Sequence, residues 1–135
     1  MNKTHPMTIL KRLFKRRSPH PVVVPPLPTV EEAARHLYGK QTEFTDEVVD
    51  VLYSSDGIRR FVILKSKKGL YSAALETVRM YDEEEWQYFC NDGRYPAWWE
   101  CIDCGAAGSI FDSYERTLAE VKATAEYKTY FCRKE

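Results

Sequence analysis

The stretch EVVDVLYSSDGIRRFVILKSKKGLYSAALETVRMY, residues 47–81, decides the fold of this chain. It holds three runs rich in β-branched and aromatic residues, which are Glu47 to Ser54, Ile58 to Ser66 and Leu70 to Tyr81. The breaks between them, Ser55-Asp56-Gly57 and Lys67-Lys68-Gly69, are short and end in Gly, as hairpin turns often do. The stretch therefore predicts three antiparallel strands joined as a meander. Because Phe61-Val62-Ile63-Leu64 is apolar on both faces, the middle strand is expected at the centre of the sheet.

The residues that follow hold most of the aromatic side chains. Glu85 to Cys90 and Pro96 to Ile102 flank the turn-forming sequence Asn91-Asp92-Gly93, a pattern that predicts another hairpin. The sheet would then contain about five strands. Since side chains alternate along a strand, Trp98 and Trp99 are expected on opposite faces, so they cannot both enter the same layer of core.

Helices are predicted before and after the strands in the sequence. Thr29 and Glu32 have the spacing of a capping box, and the helix that they open should end near Gly39. A second helix should start near Ser109 or Asp112, run to about Tyr127, and pack on the sheet through Tyr114, Leu118, Val121 and Ala125. Residues 127–132 are expected to form a last edge strand or a docked tail. The fold class is therefore α+β, a single domain with helices on an antiparallel sheet.

The zero net charge of the chain hides a strong asymmetry. Residues 1–30 hold six basic and no acidic side chains, whereas residues 31–135 hold 14 basic and 20 acidic ones. Residues 18–28 include five prolines, which favour an extended spacer or a proline-rich ligand. We therefore expect a basic, proline-rich arm at residues 1–28 and the α+β domain at residues 29–135. Residues 7–17 would suit a short amphipathic helix at a membrane surface, although a solvated tail is the favoured interpretation.

Several functional classes have little support in this sequence. No apolar run is long enough to cross a bilayer, and no export signal is evident, so the cytoplasm is the expected location. Only His36 lies in the predicted domain, which disfavours a histidine-based nucleophile, and no glycine-rich phosphate loop is present. We therefore expect no enzyme activity. The sequence around Gly108 to Glu115 resembles small bacterial proteins in general style and indicates no particular family.

The four cysteines allow three interpretations. Cys101 and Cys104, followed by Gly105, have the spacing of a zinc knuckle, and Cys90 and Cys132 would complete a tetrahedral site. A second CxxC motif would be needed for a strong zinc signal, and none is present. A redox pair is less favoured, because such pairs usually lie at a helix N-terminus. Unligated thiols are the favoured interpretation, without a cofactor.

The favoured function is a small protein-interaction module, of the kind that toxin-neutralising immunity proteins exemplify. Its expected contact surface combines aromatic and acidic side chains that could hold a basic protein partner: Trp86, Trp98, Trp99, Tyr95, Glu83, Glu84 and Glu85. One alternative is a zinc module that contacts nucleic acid or a membrane through its basic arm. The other is a thiol oxidoreductase that uses Cys101 and Cys104.

Overall fold

The computed structural model describes residues 23–132, so the predicted amphipathic helix at residues 7–17 and most of the basic arm lie outside the described part. Four strands and four helices follow one another in the described chain. In order they are α1 (Val30–Leu37), β1 (Glu47–Tyr53), β2 (Arg59–Lys65), β3 (Tyr71–Met80), α2 (Glu83–Phe89), β4 (Ala97–Asp103), α3 (Tyr114–Lys122) and α4 (Ala125–Tyr130). Among residues 23–132, no helix has the length and apolar character needed to cross a membrane.

The four strands form one antiparallel sheet in the order β1-β2-β3-β4. Phe61 of β2 pairs with Leu52 of β1 and with Leu75 of β3, and Val78 of β3 pairs with Trp99 of β4. The meander that residues 47–81 predict is therefore confirmed. The apolar run of β2 lies inside the sheet, where Phe61 to Leu64 are buried.

Both faces of the sheet are covered, each by different elements. On the first face, which we call the inner face, Ala33 and Leu37 of α1 pack against Val78, Ala97 and Trp99. On the opposite face, which we call the outer face, the C-terminal helices cover one end, where apolar side chains form a separate cluster: Phe61, Ala73, Leu75, Val121 and Phe131. At the β4 end of the outer face, the described residues leave Trp98 37% exposed.

Helix α1 begins as its sequence dictates. The Thr29 hydroxyl accepts a hydrogen bond from the Glu32 amide at 3.1 Å, and the Glu32 carboxylate accepts one from the Thr29 amide at 2.8 Å. These reciprocal bonds satisfy two amides that have no partner within the first helical turn. The same bonds lower the pKa of Glu32 below its usual value.

The prediction of a strand at residues 85–90 is wrong, because this segment forms helix α2. Asp82 and Glu85 make a second capping box, in which the Asp82 carboxylate accepts from the Glu85 amide at 2.8 Å and the Glu85 carboxylate accepts from the Asp82 amide at 3.0 Å. The sheet therefore has four strands rather than about five. The high β propensity of the aromatic residues is overridden by the cap and by the burial of Trp86.

The C-terminal segment also differs from its prediction. The helix expected to reach Tyr127 ends at Lys122, and Thr124 caps a new helix, α4, by accepting a hydrogen bond from the Tyr127 amide at 3.2 Å. Residues 127–132 are therefore not a strand, and they agree with the alternative of a docked tail, because Phe131 is buried in the outer-face cluster with Tyr127 packed against it. Val121 is buried against the sheet as expected, but Thr117 is the other fully buried residue of α3, whereas Ala125 is exposed.

Candidate functional site

Two tryptophans that are adjacent in the chain lie in different surroundings, one in the core and one on the candidate binding surface. Trp99 is 8% exposed, and its indole N–H donates to the Leu37 carbonyl at 2.9 Å. The guanidinium carbon of Arg60 lies 4.1 Å from the centre of the Trp99 ring. Trp98, in contrast, is 37% exposed on the outer face. The prediction that the two side chains take opposite faces is confirmed, and Trp98 is the one that reaches solvent.

An open cleft of about 690 Å³ lies beside Trp98, between β4 and α2. We call it the aromatic cleft, and it is lined by Tyr81, Glu85, Phe89, Arg94, Tyr95, Ala97 and Trp98. The Tyr81 ring is central: its centroid lies 5.0 Å from that of Phe89, nearly parallel to it, and 5.0 Å from that of Trp98, in an edge-on arrangement. Such ring pairs hold one another in place, so the aromatic cleft is largely preformed.

Polar groups at the rim fix the arrangement of the rings. A guanidinium N–H of Arg94 donates to the Tyr81 hydroxyl at 3.3 Å, and the same guanidinium lies 5.7 Å from the Phe89 ring centre. Tyr95 stacks on His36 of α1 with 3.7 Å between the ring centroids. Burial, together with the charge of Glu32, raises the pKa of Tyr95.

The acidic run Asp82 to Glu85 has two roles. Asp82 and Glu85 form the capping box of α2, whereas Glu83 and Glu84 are exposed in the first helical turn. Negative charge is favourable at this end of a helix, because the unpaired amides and the helix dipole are positive there. The run lies at the start of α2, and Glu85 places negative charge at the aromatic cleft.

Trp86 lies on the other side of α2 and is covered by the chain itself. Its indole N–H donates to the Pro25 carbonyl at 2.8 Å, and the side chain is 5% exposed. Residues 24–28, which we call the proline strap, line two small grooves with Trp86, one of which also includes Tyr95 and Pro96. The proline strap thus contacts the body of the fold, and the predicted domain boundary near residue 29 stays a prediction.

The structure divides the predicted contact residues into two groups. Trp98, Tyr95 and Glu85 line the aromatic cleft, and Glu84 is exposed in the first turn of α2, whereas Glu83 lines a groove beside Trp86 and the proline strap. Trp86 and Trp99 are buried elsewhere and do not share that surface. Sequence reasoning missed Tyr81, Phe89 and Arg94. Helical spacing was the available signal for Phe89, because residues four apart, such as Glu85 and Phe89, lie on the same face of a helix.

The four cysteines that the zinc alternative requires are not brought together. Within residues 23–132, which include all four cysteines, no group of three or more His, Cys, Asp or Glu side chains could hold a metal ion. Cys90 follows α2, and Cys132 is exposed after α4. Only the Cys101 and Cys104 sulfur atoms approach each other, at 3.0 Å.

The thiol of Cys101 is not activated for nucleophilic attack. Burial, followed by the hydrogen bond and the charge of Cys104, raises its pKa to about 11. A catalytic thiol of the oxidoreductase type needs a depressed pKa, which helix N-termini or neighbouring cations normally provide. The oxidoreductase alternative requires such a pKa at one of the two thiols, and Cys101 does not provide it.

Comparison with known protein families, with curated proteins and with solved structures found no match to this chain.

Proposed function

We propose that this protein is a small, non-catalytic interaction module that binds a basic protein partner through the aromatic cleft. The observation that carries the proposal is the position of Trp98, which is held by Tyr81 yet remains 37% exposed at the edge of a preformed cleft. Large aromatic side chains in such positions dominate the binding energy of many interfaces. Trp98 would supply apolar contact area with little loss of side-chain freedom, because its ring is already packed on one side.

The charge around the aromatic cleft supports a basic partner. Residues 79–100 hold six carboxylates and two guanidinium groups, and both guanidinium groups already have partners: Arg79 pairs with Glu100 at 2.6 Å, and Arg94 bonds to Tyr81. An acidic surface of this kind speeds the encounter with a positively charged protein and disfavours acidic ones. Neutralisation of a basic bacterial toxin in the cytoplasm is the specific role that we propose.

A capture experiment with matched charge reversals tests the proposal. The full-length protein would be immobilised and exposed at low salt to a lysate of its native organism, and the retained proteins would be identified by mass spectrometry. We expect a basic protein to be retained by the wild type. Retention should fall strongly for Glu83→Lys/Glu84→Lys and for Trp98→Ala, because these variants remove the steering charge and the apolar anchor, respectively.

The control variant makes the same change in charge in the first turns of two other helices. Glu115 and Glu126 are exposed in the first turns of α3 and α4, so Glu115→Lys/Glu126→Lys alters net charge and helix starts equally. This control should retain the partner. If the control loses as much of the captured partner as Glu83→Lys/Glu84→Lys does, net charge alone explains the loss. If capture is unchanged in all variants, the aromatic cleft has no role in binding.

A further inference from the structure

Cys101 and Cys104 form a close pair of thiols at the end of β4. Both are free, their sulfur atoms lie 3.0 Å apart, Cys101 is half-buried and Cys104 is exposed. A disulfide bond is about 2.0 Å long, so a movement of about 1 Å would bring the two atoms to bonding distance. We propose that this pair is a reversible disulfide site that is oxidised by exchange with a small-molecule disulfide. This inference is independent of the proposed function of the aromatic cleft.

The surroundings of the two sulfur atoms assign them different roles. Cys104 is exposed in the turn after β4, so a small disulfide can reach it. Cys101 packs against the buried cluster of Val62, Leu64 and Ala74 on the inner face. In the pairing of β3 with β4, Cys101 also lies directly opposite Glu76, which is fully buried. Apolar packing and a neighbouring carboxylate both disfavour a thiolate at Cys101.

The reaction therefore starts at Cys104. Its thiolate attacks one sulfur of the small disulfide, a mixed disulfide forms at Cys104, and one small thiolate leaves. Cys101 then loses its proton to solvent base and attacks the Cys104 sulfur, which releases the second small thiolate. Two protein thiols are oxidised to one disulfide, and one small disulfide is reduced to two thiols. The second step should be the slower one, because little Cys101 is deprotonated near neutral pH.

The bond would fasten a turn to the sheet. Cys104 begins a turn rich in small residues, and within that turn the Ala106 amide donates to the Ala73 carbonyl of β3 at 3.0 Å. Cys101 is fixed on the adjoining strand. A covalent link between Cys101 and Cys104 would restrict opening of this turn, so amide hydrogen exchange at residues 105–108 should slow on oxidation.

Redox titration of the full-length protein tests the inference. Reduced protein would be equilibrated at neutral pH with glutathione and glutathione disulfide at a series of ratios, quenched by alkylation, and analysed by intact mass and peptide mapping. We expect one internal disulfide, mapped to Cys101 and Cys104, in the wild type and in the controls Cys90→Ser and Cys132→Ser. The same titration in concentrated urea should need a more oxidising ratio, because unfolding separates the two thiols.

Single substitutions test the order of attack. Cys101→Ser should accumulate a glutathione adduct on Cys104, because the resolving thiol is gone, whereas Cys104→Ser should remain largely reduced. A glutathione adduct that persists on Cys104 of the wild type, a disulfide that maps to Cys90 or Cys132, or equal oxidation of native and unfolded protein would each overturn the inference. Circular dichroism of every variant would verify that the fold is retained.

Discussion

The two faces of the sheet carry the same kinds of side chain in different surroundings. On the inner face Trp99 is buried, and Arg60 and Glu76 form an ion pair of 2.6 Å between side chains that are 0% exposed. On the outer face Trp98 is exposed, and an ion pair of the same length joins Arg79 and Glu100, whose side chains are 54% and 43% exposed. Residue type and distance are matched, so only the surroundings differ.

The difference shows which residues build the fold and which are available to a partner. Arg60 makes several contacts: besides Glu76, it donates to the Lys40 carbonyl at 2.7 Å and to Tyr53 and Thr42, and it faces the Trp99 ring. Removing any part of this network leaves buried polar groups without partners. The outer pair remains in water, where ion pairs contribute little to stability. The β4 end of the outer face should therefore tolerate substitution, and it is the surface that we propose for partner contact.

Truncation of the two tryptophans should give the largest contrast. Trp99→Ala should reduce the free energy of unfolding by about 3–5 kcal/mol, because it opens a cavity in the core and removes the donor to the Leu37 carbonyl. Trp98→Ala should cost about 1 kcal/mol, the worth of an aromatic pair on the surface. Chemical denaturation of both variants would measure the two values. Similar losses would contradict the assignment of the two faces.

The two ion pairs should differ almost as much as the two tryptophans in their contribution to the free energy of unfolding. Glu76→Gln leaves the Arg60 charge buried without an anion, and we expect a loss of about 3 kcal/mol. Glu100→Gln removes the equivalent charge from the exposed pair and should change stability by no more than about 0.5 kcal/mol. Urea denaturation at two salt concentrations would compare them. A large, salt-sensitive effect of Glu100→Gln would show that the outer pair also supports the fold.

Replacement of Trp86 should have a smaller effect that is confined to the proline strap. Trp86→Phe removes the hydrogen bond to the Pro25 carbonyl, and we expect a loss of about 1 kcal/mol. The Leu27 methyl signals in NMR spectra should move towards the values of an unfolded chain, because Leu27 lines the groove beside Trp86. The matched change Trp98→Phe should leave these signals unchanged. Unaltered Leu27 signals in both variants would mean that other contacts hold the proline strap.

The sequence allowed prediction of the local pattern of the sheet but not of every element around it. The hairpins at residues 47–81 have clear turns and apolar runs, and their pairing was confirmed. Helix α2 was missed although Asp82 and Glu85 have the same spacing as Thr29 and Glu32, which were recognised as a cap. The aromatic residues after Asp82 have high β propensity, and that weak preference was given more weight than the capping signal.

Contacts between distant segments explain the rest of the differences. Nothing in the local sequence indicates that Trp86 bonds to Pro25, 61 residues earlier, and thereby leaves the predicted contact surface. The alternation of Trp98 and Trp99 was predictable from strand geometry, but which of them is buried depends on the position of α1. Residue propensity and hydrophobic periodicity predict single helices and strands. The aromatic cleft depends on how α2 packs next to β4, which these local signals do not predict.

The affinity of the captured basic protein for the Trp98→Ala variant tests the central claim most directly. Isothermal titration calorimetry would compare this variant with the wild type after circular dichroism has shown that both are folded. If Trp98 is an interface anchor worth about 2 kcal/mol, the dissociation constant should rise about 30-fold. A dissociation constant that remains within about twofold of the wild-type value would contradict the proposal that the aromatic cleft is the binding surface.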